Sequence, residues 1–171
     1  MSFSQIFYNL DEYKQTSFPN NYELAKKKIL ENISSDSYEF ISGMKKNNYN
    51  EINSIARELK KFENVLFLGT GGSSLGGKTL VSISRNSYLQ KLKPKIFFVE
   101  NIDYGSIKDL INGIELEKTA IVVTSKSGET LETLGQYFYI SNEMKKKKIS
   151  LTNKVFVITE NKNSCLKNIQ E

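Results

Sequence analysis

Asn64-Val65-Leu66-Phe67-Leu68-Gly69-Thr70-Gly71-Gly72-Ser73-Ser74-Leu75-Gly76-Gly77-Lys78-Thr79 begins as an apolar run, passes through a glycine-rich loop and leaves with helix-compatible spacing. Strand, glycine loop and helix start, in that order, make an anion site. Glycine lets the backbone turn with φ above zero and bring N–H groups close to a ligand, while a helix N-terminus supplies partial positive charge. The stretch therefore predicts a phosphorylated ligand. Taken alone it fits more than one template: Gly72 to Thr79 satisfies the nucleotide-binding pattern G-x-x-x-x-G-K-[ST], whereas the dinucleotide fingerprint fails because Ser74 stands where its third glycine belongs.

Three further runs share the character of the first: Lys95 to Val99, Ala120 to Val123, and Val155 to Ile158. Short continuous apolar runs rich in β-branched or aromatic residues suit strands buried on both faces. Helical spacing fills the gaps, near residues 74 to 89, 103 to 112 and 129 to 148. Alternation of this kind predicts an α/β fold, a doubly wound and mostly parallel sheet flanked by helices in a three-layer αβα arrangement of flavodoxin-like type. Upstream, from Phe3 to about Phe62, apolar residues recur at three- and four-residue spacing, for example Ile29, Ile33, Tyr38, Ile41 and Met44, with breaks at Pro19 and Asn48-Tyr49-Asn50. The expected organisation is an N-terminal helical segment, residues 1–62, packing on a binding domain, residues 63–171. The last stretch, Asn163 to Glu171, starts as a capped helix with no capping glycine or strand after it, so the domain is expected to be truncated at its C-terminal end.

A second loop decides between the templates. After Ile121 to Val123 comes Thr124-Ser125-Lys126-Ser127-Gly128-Glu129-Thr130, and then the amphipathic run Leu131, Leu134, Tyr137, Phe138, Ile140. Hydroxyls and an ammonium thus gather at a helix start, where O–H and N–H donors together can surround a phosphate. Helix capping alone needs only Ser127 or Thr130. In a parallel sheet both loops leave the carboxyl ends of their strands, the edge where ligands bind. A magnesium-dependent nucleotide site needs a strand ending in aspartate, but the strands here end in Glu100-Asn101, Thr124-Ser125 and Thr159-Glu160.

Composition narrows the class further. The 171 residues carry 24 Lys and Arg against 19 Asp and Glu, yet the only arginines are Arg57 and Arg85 and the lysines lie in scattered runs. Nucleic-acid sites gather arginine forks and aromatics on one face, so no nucleic-acid partner is expected. No apolar run approaches the roughly 20 residues of a membrane span, and the start lacks a signal peptide's features, which predicts no membrane partner and a cytoplasmic setting. One cysteine and no histidine give no disulfide, no cysteine-ligated metal and no imidazole proton shuttle, so neither cofactor nor metal is expected. Cys165 reads as a small, partly buried helix residue, Tyr137-Phe138-Tyr139 as core packing with one ring exposed, and Lys145 to Lys148 as a solvated helix end.

Gly69 to Gly76 resembles the G-[IT]-G-G-S-x-L-G loop of the glucose-6-phosphate isomerase family, and Ser125 to Thr133 is similar to that family's S-K-[TS]-x-x-T-x-E-T phosphate loop. Between them, Phe98-Val99-Glu100-Asn101-Ile102-Asp103 resembles its F-V-x-N-[VI]-D strand end. The resemblance covers about residues 64 to 166 and implies a sugar isomerase (SIS) domain. It implies interconversion of glucose 6-phosphate and fructose 6-phosphate, a step of glycolysis and gluconeogenesis, through ring opening and an enediol, with no cofactor. Carried over by position, Ser125, Ser127 and Thr130 hold the phosphate with Lys126 contributing its backbone N–H, and Gly72 and Ser73 approach the sugar. The family's base glutamate, arginine, partner-subunit histidine and C-terminal lysine match nothing in this stretch. The chain is therefore expected to be inactive alone, with no catalytic residue of its own, although family members are usually homodimers. The alternative is a standalone regulatory SIS module that binds sugar phosphate. Gly128 and Glu129 stand where many members carry an aromatic and a threonine. A carboxylate beside a dianion is unfavourable, so Glu129 is expected to face away.

Overall fold

Four of the chain's β-branched and aromatic runs pair side by side as a parallel sheet. The computed structural model describes residues 18–35, 49–84 and 93–169. The strands are β1 (Asn64–Leu68), β2 (Lys95–Val99), β3 (Thr119–Thr124) and β4 (Val155–Ile158), ordered β2-β1-β3-β4. Leu66 lies opposite Phe97 on one side and Ile121 on the other, and Val123 lies opposite Val157. From β1 the chain steps outward to β2, then crosses back to β3 on the opposite side. That reversal puts the topological switch point between β1 and β3.

The chain divides into two compact units, Met1–Tyr49 and Asn50–Glu171. The described part of the first is α1 (Phe18–Ser34), which holds Pro19 in its first turn. That position costs nothing, because the first N–H groups of a helix have no intrahelical partner. Leu24, Ile29, Leu30 and Ile33 are exposed on it, while Tyr38, Ile41 and Met44 lie outside the described residues. The second unit takes in most of α2 (Tyr49–Leu59), then α3 (Gly72–Ser84), α4 (Tyr104–Asn112), a 3₁₀ turn at Leu116–Lys118, α5 (Leu131–Lys146) and α6 (Cys165–Ile169).

Alternate strand residues point to opposite faces, and the two faces are covered unequally. On one, Leu66, Leu68, Ile121 and Val123 meet Ile107 and Ile111 of α4, Leu134, Tyr137, Ile140 and Met144 of α5, and Leu166 of α6. The α5 residues recur every three or four positions, so a single stripe supplies its contacts. Of the three rings at 137–139, Tyr137 is buried, Tyr139 half-buried and Phe138 exposed; Leu131 and Phe138 of the expected amphipathic run therefore lie outside the packed face, and Lys145 to Lys148 are exposed. On the other face Val65, Ala120 and Val122 are backed by Leu59, Phe62, Phe67 and Phe156. Phe98 stacks on Phe67 there at 5.2 Å between ring centroids and lies against the Gly77 backbone of α3.

Three expectations need correction. The stretch Gly69 to Gly77 is not all loop: Gly71 turns the chain with φ +55° and helix starts at Gly72, so Gly76 and Gly77 are helical. Only 72–84 of this helix is described, and 85–89 of the expected span lie outside the described residues. Helix α5 is two residues shorter at each end than 129 to 148, because Glu129 and Thr130 belong to the loop and Lys147 is the C-cap. Cys165 is exposed rather than partly buried, since Ser164 and Leu166 on either side of it take the inward positions.

Ile121 has no exposed surface at the centre of the sheet. Ile121→Ala is expected to lower the unfolding free energy by about 2–5 kcal/mol, measured by urea denaturation, because the methylenes lost leave a cavity that neighbouring strands cannot close.

Candidate functional site

The loop after β3 is built around one buried hydroxyl. Ser125 is 1% exposed, and its N–H donates to the Ile158 carbonyl at 3.1 Å, extending the β3–β4 ladder past the strand end. Its Oγ lies 2.8 Å from Thr130 Oγ1 and 3.4 Å from Ser127 Oγ, and accepts the Gly128 N–H at 3.1 Å. Three hydroxyls therefore meet directly beneath the first turn of α5. Thr130 occupies the N-cap of α5, but its side chain makes no capping bond to the helix. Capping does not account for the cluster.

Gly128 is fixed by both conformation and space. Its φ is +72°, and a Cβ there would lie 2.2 Å from Ser164 Oγ and 2.9 Å from Thr159 Oγ1. The Gly128 carbonyl accepts the Leu166 N–H at 3.1 Å, while the Lys126 carbonyl accepts the Glu160 N–H at 3.3 Å and the Thr159 hydroxyl at 3.4 Å. The β4–α6 connection thus braces the loop from behind. Lys126 extends into solvent with Nζ 3.7 Å from Glu160. Glu160 also pairs with Lys162 at 2.7 Å, and Lys162 first, then Lys126, hold its carboxyl below the usual glutamate value. Glu129 is exposed, as expected, and its N–H donates to Ser127 Oγ at 3.2 Å.

The loop after β1 lies beside this one. Gly69 packs so closely on the end of β3 that a Cβ there would sit 3.0 Å from the Thr124 carbonyl oxygen. Gly72 and Ser73 fall in the first turn of α3, Gly72 exposed and Ser73 half-buried, with the Ser73 N–H donating to the Thr70 carbonyl at 3.2 Å. The six residues singled out from sequence are therefore carried by two neighbouring loop-to-helix junctions at the carboxyl edge of the sheet, flanking the switch point. That is where ligands enter folds of this class.

Lys78, the lysine of the nucleotide-binding pattern, is engaged elsewhere. It pairs with Glu100 at the end of β2, whose other oxygen accepts the Ser74 hydroxyl at 3.0 Å. Lys78 and then Ser74 hold the Glu100 carboxyl below its usual value. Sequence reasoning passed over this pair, although Ser74 and Lys78 stand four residues apart and so share one helix face. It also passed over Thr159 and Ser164, for which no local pattern exists, since they lie about thirty residues or more from the loop they brace.

A family model described as phosphoglucose isomerase matches residues 31–168. A probable glucose-6-phosphate isomerase of Methanococcus maripaludis is 40% identical over 112 residues, 65% of this chain and 25% of the relative. The glucose-6-phosphate isomerase of Borrelia garinii is 39% identical over 110 residues, 63% of this chain and 21% of the relative. Among solved structures, a glucose-6-phosphate isomerase from Chlamydia trachomatis superposes with TM-score 0.61 at 29% identity, covering 69% of this chain and 22% of that one. This chain spans about a quarter or less of the length of those proteins.

Gly128→Ala is expected to destabilise the protein by at least about 1–3 kcal/mol, from left-handed strain and the Ser164 collision. Gly135→Ala, on α5 with no atom within 4 Å of the added Cβ, is expected instead to stabilise it by about 0.5–1 kcal/mol. Paired thermal and chemical melts give both signs in one comparison.

Proposed function

The chain belongs to the phosphoglucose isomerase family, and we propose that it supplies the sugar-phosphate-binding loops of a glucose-6-phosphate isomerase. The observation that carries this reading is the Ser125, Ser127 and Thr130 hydroxyl cluster beneath an N-cap whose side chain makes no capping bond. A phosphate dianion there meets rotatable O–H donors, the Lys126 backbone N–H and the positive end of the α5 dipole, all at fixed positions. Gly72 and Ser73, one strand over, face the sugar. Glu129 is exposed, so its carboxylate is free to turn to solvent, away from the dianion.

In this reading the loops bind and orient glucose 6-phosphate or fructose 6-phosphate for aldose–ketose interconversion in the cytoplasm. Orientation is a large share of the work, since enolisation needs the C1–C2 fragment held within reach of an acid and a base. None of the assigned residues is a base: hydroxyls and backbone N–H groups do not remove a carbon-bound proton at neutral pH. The 171-residue chain is therefore proposed to bind hexose phosphate weakly and to turn over nothing by itself.

Calorimetric titration with fructose 6-phosphate tests this. The chain is expected to bind without added magnesium, and Ser127→Ala, an exposed change, to weaken binding about tenfold or more, the worth of one hydrogen bond to a charged oxygen. Unchanged affinity in Ser127→Ala removes the phosphate assignment, and robust isomerase activity of the chain alone removes the division of labour.

A further inference from the structure

Among the described residues, helix α3 rests on the sheet almost without apolar anchoring. Ser74 is its one buried residue, whereas Leu75, Leu80 and Ile83 are between 62% and 70% exposed. By contrast, α5 buries seven residues. A helix without an inward apolar stripe has little to fix its rotation or its distance from the sheet. Yet the first turn of α3 carries Gly72 and Ser73, whose placement relative to the second loop decides whether a single ligand touches both.

Glu100 supplies the missing fixation. It stands one residue past β2, its side chain 30% exposed, with one carboxylate oxygen accepting the Ser74 hydroxyl at 3.0 Å and the other pairing with Lys78. Ser74 Oγ also lies 3.2 Å from the Gly71 carbonyl, the residue that turns the chain into α3. The carboxylate therefore spans one full helical turn, from Ser74 in the first turn of α3 to Lys78. The resemblance patterns leave positions 74 and 100 open and end before 78.

We infer that Glu100 is a positioning residue for the sugar-facing loop: by gripping Ser74 and Lys78 together it sets the first turn of α3, and with it Gly72 and Ser73, against the neighbouring phosphate loop. The inference rests on the reading of Gly72 and Ser73 given under Proposed function. The same pairing takes Lys78 out of service as an anion ligand. Glu100 is engaged by Ser74 and Lys78 rather than by the residues assigned to the phosphate, and the phosphate loop is braced separately from β4 and α6.

Hydrogen–deuterium exchange of the whole chain, with Glu100→Gln and Lys78→Met as independent variants, tests the clamp. Each is expected to raise exchange over residues 72–78 at least threefold while leaving β3 and α5 unchanged. Glu100→Gln is also expected to weaken fructose 6-phosphate binding at least threefold and to leave inorganic phosphate binding unchanged. Unaltered exchange at 72–78 in both variants overturns the inference, as does a rise spread equally over β1 and β3 or an equal loss of affinity for both ligands. If exchange at 72–78 responds but the unsubstituted chain binds neither ligand, the proposed function falls and the clamp stands.

Discussion

β1 pairs in parallel with β3 from Asn64 opposite Thr119 to Leu68 opposite Val123, and this ladder sets where everything else goes. Because the chain leaves β1 toward β2 and leaves β3 toward β4 on the other side, the two crossovers run in opposite directions and their loops diverge above the β1–β3 seam. A gap bounded by two helix N-termini is the electrostatic result. The ladder is buried, with Leu66, Leu68, Ile121 and Val123 fully enclosed, so neither loop can shift along the sheet without breaking the core.

The two loops are rigid for different reasons. The loop after β3 is over-determined: its carbonyls at Lys126 and Gly128 are tied to the chain after β4, and Gly128 has no room for a side chain. Preorganised donors cost no reorganisation when an anion arrives, which suits the phosphate-holding role proposed for Ser125, Ser127 and Thr130. Among the described residues the loop after β1 has no comparable backing, and a polar clamp replaces the apolar stripe that anchors α5.

Much of this was legible in the chain. The four strands stand out because β-branched and aromatic runs bounded by loop residues signal doubly buried strands, and their alternation with helical spacing gives the parallel sheet. The SKSGET cluster at 125–130 is readable because so many hydroxyls exceed what capping needs. Harder to read were features set by distant contacts. The glycines at 72, 76 and 77 look like loop residues, yet all three are helical, and of them only Gly77 lies against Phe98. Cys165 looked partly buried because an apolar-compatible residue in a short amphipathic helix gives no clue to its phase. Lys78 imitated a nucleotide-binding lysine until its partner across 22 residues was known. The bracing by Thr159 and Ser164 has no sequence signature at all.

The central claim is that two loops make one site, with the phosphate on the β3 side and the sugar on the β1 side. Amide chemical-shift mapping with two ligands in turn addresses it most directly. Inorganic phosphate is expected to move the Ser125 to Leu131 amides alone, and fructose 6-phosphate to move these together with Gly71 to Ser73. Phosphate responses centred on Gly72 to Thr79 with Ser125 to Leu131 silent would contradict the account and return the glycine loop to the nucleotide-binding pattern it matches by letter.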